Sequence, residues 1–192
     1  MKNTLLTLLF LSLLMSCNTN DDDFYNTQTT SIPNLVTVEI SSTGYNVGDY
    51  IYINSIINRI QTEANQSTPL DIRKSTGNAS SLSFNYVLER KIDATTWETV
   101  DATSSNLNLT KGQFLNGDYY TADALFNSLS DAYEFRAGIK LNTAGDYRIT
   151  FINSSGANQV ELRSNSSESN IVLNINSTTN TANGSSYNFT VL

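Results

Sequence analysis

The chain has 192 residues, 39% of them hydrophobic, and its 18 acidic against 11 basic side chains leave a formal net charge of −7, which argues against a nucleic-acid or anionic-lipid surface as partner. It contains no histidine, which removes the Ser-His and Cys-His nucleophile systems and most zinc sites. It has a single cysteine, so no intramolecular disulfide can form and the core must hold by packing.

The first sixteen residues are laid out as a secretory signal: Lys2 supplies the charge, an apolar run extends from Leu5 to Met15, and the small Ser16 precedes Cys17. The run is too short to remain as a membrane span. Leu14-Met15-Ser16-Cys17 resembles the lipobox of bacterial lipoproteins. The resemblance implies cleavage after Ser16, a diacylglycerol thioether on Cys17, and a further acyl chain such as palmitate on the freed amine. At roughly 0.8 kcal/mol per buried methylene, several chains anchor a protein effectively permanently, so the outer membrane is the first expected partner. Cleavage would leave 176 residues and, with Lys2 removed, a net charge of −8. That length suits one domain.

Residues 17–33 show neither helical nor strand periodicity and are expected as a lipidated, disordered tether. Asp21-Asp22-Asp23 lies a few residues after Cys17. This acidic cluster resembles the lipoprotein export signal of Bacteroidota, which implies a surface-facing position; the alternative is that the three aspartates only keep a spacer hydrated.

Residues 34–192 are expected as one domain. Leu35, Val36, Val38 and Ile40 alternate with polar residues as a strand, and a break at Thr43-Gly44 and a Gly48-Asp49 turn lead into a second strand at Tyr50-Ile51-Tyr52-Ile53. Leu70 to Arg73 reads as a short strand closed by the Ser75-Thr76-Gly77-Asn78 turn. Ser81 to Lys91 is the cleanest alternation in the chain, and Trp97 to Val100 is expected to pair back on it. From Leu107 to Tyr133 strand character is weakest, with Leu125, Phe126, Leu129 and Tyr133 at helical spacing, so a long loop with a short helix is expected. Tyr133 to Leu141, Tyr147 to Phe151, Val160 to Arg163, Ile171 to Ile175 and Tyr187 to Leu192 supply further strands.

Eight to ten short strands with almost no amphipathic helix argue for an all-β sandwich or barrel, and the antiparallel sandwich is the expectation. The run from Leu141 to Tyr147 resembles the corner of immunoglobulin-like domains, and the Gly48-Asp49 strand entry and Trp97 resemble those of immunoglobulin-like domains on Bacteroidota surface lipoproteins. The resemblance covers roughly residues 35–192 and implies that the Tyr147 hydroxyl caps its corner backbone. The inter-sheet disulfide of many such domains is absent, and an insertion between Asn106 and Asp131 accounts for the extra length.

An enzyme built from these residues would depend on carboxylates such as Asp118, Asp123, Asp131, Glu134 and Glu161, but no spacing singles out a pair. No catalytic residue is assigned and no cofactor is expected. Calcium is the cation most compatible with the composition, with Asp118 and Asp123 as candidate ligands; the alternative is that both are solvated acids, with Asp123 at the start of a short helix. Tyr119-Tyr120, with Tyr45 and Trp97 behind it, is the candidate aromatic surface for stacking on sugar rings; if the segment is a strand, one of the two adjacent tyrosines must be core. The leading expectation is a non-enzymatic binding module for a glycan or a protein. The alternatives are a structural envelope protein without a small ligand, and a carboxylate-dependent glycan hydrolase.

Overall fold

The computed structural model describes residues 26–63, 66–165 and 170–192. Leu14, Ser16, Cys17 and Asp21 to Asp23 lie outside the described residues. Strands occupy 56% of the described residues and helix 2%, in one large curled sheet and one small sheet that together make a sandwich-like, all-β fold. The strands are β1 (Asn26–Ser31), β2 (Val36–Glu39), β3 (Tyr50–Asn58), β4 (Ile60–Gln61) and β5 (Leu70–Asp71), then the one-turn helix α1 (Ile72–Ser75). They continue with β6 (Ser81–Lys91), β7 (Trp97–Thr99), β8 (Leu107–Lys111), β9 (Gln113–Leu115), β10 (Tyr120–Asn127), β11 (Ala132–Lys140), β12 (Gly145–Ile152), β13 (Val160–Asn165), β14 (Ile171–Ser177) and β15 (Ser186–Val191).

The cleanest alternation in the sequence becomes the hub. Residues 81–86 of β6 pair with β10 and residues 89–91 with β7, while on the opposite edge residues 81–83 pair with β13 and residues 85–90 with β12. Both neighbours of β6 therefore change partway along it, and the sheet folds over at that strand. One wing runs β10-β11-β3-β2, another β13-β14-β1, and β15 follows β12. Leu82, Phe84, Tyr86 and Leu88 point inward and meet Ile51, Ile53 and Ile57 of β3, Tyr133, Phe135 and Ile139 of β11, and Phe151 of β12. Phe84 meets Phe135 edge-on at 5.4 Å between centroids, and Tyr86 meets Tyr120 edge-on at 5.2 Å.

The two ends of the sheet are drawn together by one stretch of chain. β1 pairs in parallel with β14, and β2 then pairs with β3. Between them Ile32 N donates to Asn176 O and Asn34 N to Thr178 O. The free edge of β2 is occupied by a side chain: Val38 N donates to Asn180 Oδ1 and Asn180 Nδ2 to Val38 O, both at 2.9 Å, as a neighbouring strand would. The expected corner is present, since the Tyr147 hydroxyl donates to Thr143 O at 2.7 Å. The Gly48-Asp49 turn also forms, closed by Asn46 N donating to Asp49 Oδ2 at 2.8 Å.

Three local expectations are corrected. Of the stretch expected as disordered tether, Asn26–Ser31 is instead a paired strand; β1 carries polar side chains on both faces and so leaves no alternation to read. Leu70–Asp71 is a strand but Ile72–Ser75 is helical, with Asp71 capping it by accepting from Lys74 N at 3.1 Å. The loop with a helix expected between Leu107 and Tyr133 is three strands, β8, β9 and β10. Inward positions Ala122 and Ala124 are buried but too small to register as a hydrophobic alternation, and the Leu125, Leu129 and Tyr133 spacing straddles a hairpin.

β8 lies along β11 and β9 along β10, so the chain between them crosses the fork where β10 and β11 part. Gly112 occupies the fork with φ +79; a Cβ there would fall against the Asp123 carbonyl oxygen, 2.9 Å from the Phe135 ring and 3.0 Å from the Glu134 carbonyl oxygen. Gly112→Ala is expected to lower stability by about 1–3 kcal/mol, and by more than Gly48→Ala, where φ is also positive but nothing lies within 4 Å. Urea unfolding midpoints check this, and equal losses would assign the effect to backbone strain alone.

The Arg59 guanidinium, donating to both Asp71 carboxylate oxygens at 2.9 and 2.6 Å, holds that carboxyl down from 3.8 to about 2. A carboxyl depressed in the folded state stabilises above its unfolded pKa, and its contribution disappears as pH falls from about 4 towards 2. Asp71→Asn is expected to flatten acid unfolding in that window and to lower stability at neutral pH, as followed by circular dichroism.

Candidate functional site

Alternation along β6 puts Phe84 and Tyr86 inside and Ser83 and Asn85 outside. The same outward face of the adjoining strands carries Thr121 and Asp123 on β10 and Glu161, Arg163 and Asn165 on β13. Register aligns them: Ser83 stands opposite Asp123 on one side and Arg163 on the other, while Asn85 stands opposite Thr121. Together they floor an open groove of about 580 Å³, within the usual range of ligand sites.

The floor is tied across three strands. Asn165 Nδ2 donates to Ser83 Oγ, which donates to Asp123 Oδ1. Thr121 Oγ1 donates to Asn85 Oδ1 at 2.9 Å. At the rim, Ser154 donates to Glu161 Oε2 through its backbone nitrogen at 3.0 Å and its hydroxyl at 2.5 Å. These bonds fix the carboxylates as oriented acceptors. The rim also carries Tyr119 and Leu115, 45% and 62% exposed, on the connection and strand that lead into β10. A half-exposed phenol over a floor of amides, hydroxyls and carboxylates offers one apolar face and many hydrogen-bonding groups.

The structure divides the sequence candidates. Tyr119 and Asp123 line the groove. Tyr120 does not: it is fully buried, packs between Tyr86 and Phe114, and donates its hydroxyl to Val100 O. Burial raises its pKa. The correction follows from strand geometry, since adjacent residues entering β10 face opposite sides of the sheet. Asp118 stays on the exposed loop outside the groove lining. Asp123 sits within a strand and not at a helix start, bonded to Ser83. Among the described residues no three of His, Cys, Asp and Glu gather as metal ligands, so Asp118 and Asp123 are not joined by a third acid. Of the other acids, Glu161 reaches the groove rim, whereas Glu134 pairs with Lys111 at 3.0 Å and is held below the usual carboxylate range by Asn127 first and then by Lys111. Asp131 lies 4.0 Å from Arg59.

Tyr45 is buried, its hydroxyl donating to Glu39 O, and Trp97 pairs opposite Lys91 beneath the Arg148 guanidinium, 4.4 Å away. Neither joins Tyr119. Ser83, Asn85, Arg163 and Asn165 were not singled out by sequence; the polar half of each alternating strand was the available signal, but only strand pairing shows that these halves adjoin. No family model matches the chain, and no curated protein matches it.

Tyr120→Phe is expected to lower stability by about 1 kcal/mol through the unpaired Val100 carbonyl, while leaving the groove face unchanged. Thermal unfolding and the Tyr119 environment by nuclear magnetic resonance check the two halves of that statement.

Proposed function

We propose that this protein is a non-enzymatic outer-membrane lipoprotein facing the cell surface, whose β-sandwich domain binds a glycan in the groove floored by β6, β10 and β13. The anchoring half of the reading rests on the Leu14-Met15-Ser16-Cys17 run, with lipid on Cys17, and on Asp21 to Asp23 as export signal. The binding half is carried by one observation: half-exposed Tyr119 lines the groove together with the polar groups Ser83, Asn85, Thr121 and Asp123. Sugars present this combination in reverse, with an apolar ring face and a perimeter of hydroxyls. Among the described residues of the groove, Asp123 and Glu161 accompany one cation, Arg163, so the charge there favours a neutral sugar over an acidic one.

The full mature chain in mild detergent is expected to retain a neutral glycan on an array, and Tyr119→Ala to weaken that binding about tenfold, whereas Tyr120→Phe leaves it unchanged. Binding indifferent to Tyr119, or none across the array, overturns the glycan reading. The presence of two carboxylates in one groove favours a second reading, a carboxylate-dependent hydrolase. Release of reducing ends from a bound oligosaccharide, abolished by Asp123→Asn or Glu161→Gln, would replace the first reading with that one.

A further inference from the structure

We infer that the end of the domain bearing the β10–β11 hairpin tip and α1 rests on the headgroup layer of the membrane that holds the protein's own acyl anchor. The inference rests on Cys17 being the lipidated residue. Three observations at that one end carry it.

The first is where the chain leaves the domain. Asn26, the start of β1, donates its backbone nitrogen to Asn170 O and stands opposite Ile171 at the start of β14. The end of β13, Asn165, stands opposite Ser81 at the start of β6, and Ser81 stands opposite Leu125 near the end of β10. Ser80 N donates to Asn165 O, and Phe126 N to Ser80 O. The exit to the anchor, the approach to β6 and the β10–β11 hairpin therefore share one end. Eight residues lie between Cys17 and Asn26, nine steps with a reach of at most about 30 Å. The eleven residues of β6 extend about 36 Å. An anchor on that tether reaches the bilayer readily from this end and falls short of the length of the domain.

The second is exposed apolar surface. Leu129, at the hairpin tip, is 96% exposed, the most exposed of the large hydrophobic side chains described. Arg59 N donates to Asp131 O, which sets Ile60, itself 49% exposed, beside the same hairpin. Isolated apolar tips of this kind enter the interfacial layer of a bilayer at little desolvation penalty.

The third is local charge. Arg59, Arg73 and Lys74 line an open hollow of about 340 Å³ next to Gly77. Arg59 is committed to Asp71, and Arg73 lies over the Phe126 ring at 4.0 Å. Lys74 is exposed and, among the described residues, in no ion pair within 4.0 Å. The protein is acidic as a whole, yet Arg73 and Lys74 present phosphate-compatible donors here. Asp71, Asp131 and Glu134 offset part of the local positive charge, so apolar insertion of Leu129 and Ile60 is the principal contact and the cations orient it.

Trp97, the one tryptophan of the chain, pairs opposite Lys91 at the other end of β6 and serves as an internal control. Full-length lipidated protein is reconstituted in phosphatidylethanolamine–phosphatidylglycerol vesicles with plain or brominated acyl chains, as wild type and as Leu129→Trp. Wild-type emission is expected to be the same in both vesicles, whereas most of the emission added by Leu129→Trp is lost in brominated ones; Lys74→Glu in that background reduces the loss. Leu129→Trp emission untouched by bromine in protein that floats with vesicles and carries acylated Cys17 by mass spectrometry overturns the inference, as does quenching of Trp97. Protein that neither floats nor carries an acyl group overturns it too, and then identifies anchoring as the part that failed.

Discussion

The sharing of β6 between two pairs of neighbours is the constraint on which the rest of the molecule depends. A strand with the same partner along its whole edge propagates a flat or gently twisted sheet. One whose partner changes on each edge must let the sheet divide, and here β12 and β13 diverge on one side as β10 and β7 do on the other. The divergence brings the wings face to face over Phe84, Tyr86, Phe135 and Phe151. No disulfide braces this arrangement, so its closure falls to hydrogen bonds at the seam: the Asn180 amide on β2, the Ser177 hydroxyl accepting from Leu35 N, and the Ser55 hydroxyl donating to Leu35 O. Each is worth about 1 kcal/mol net, and leaving any one unpaired in the interior costs more than it contributes.

Core and groove are two faces of a single register. With period two, the residues that put Phe84 and Tyr86 inside oblige Ser83 and Asn85 to face out. A slip of one residue in the β6–β10 pairing would bury Asp123 and expose Tyr120, at a penalty far above the stability of a domain. The groove floor is thus positioned by the most strongly enforced feature of the fold. Its hydrogen bonds through Ser83 then orient side chains whose backbone is already fixed.

Legibility in the sequence followed how much each strand contrasts inside with outside. Ser81 to Lys91 contrasts strongly, and it is the strand expected, with Trp97 onward paired back on it. β1 has no inside face and β10 follows Tyr120 with alanines on its inside face, so neither carries the signal. The Tyr119-Tyr120 pair shows the same limit at the site. Strand alternation guarantees that one of two neighbours is core, but which one depends on the register, and that is fixed by the pairing of β10 with β6, which sets Tyr120 opposite Tyr86. Arg163 and Asn165 were beyond reach for a topological reason: Asn165 lies 82 positions from Ser83 in the chain, and only the pairing of β13 with β6 makes them neighbours.

Outer-face ion pairs complete the division of labour. Arg148 and Glu89 stand opposite each other on β12 and β6 and bond at 2.6 Å, and Arg136 grips Glu39 while lying 4.0 Å over the Tyr52 ring. Pairs this exposed add little stability. Their effect on the surface is larger, because they consume the charges of two outer faces internally. Arg163 differs: among the described residues it joins no ion pair, although Glu161 lies two residues away on the same face of β13. Its guanidinium lines the groove beside carboxylates that already accept from hydroxyls. That separates the groove chemically from the paired surfaces around it, on a strand whose position the core has already determined.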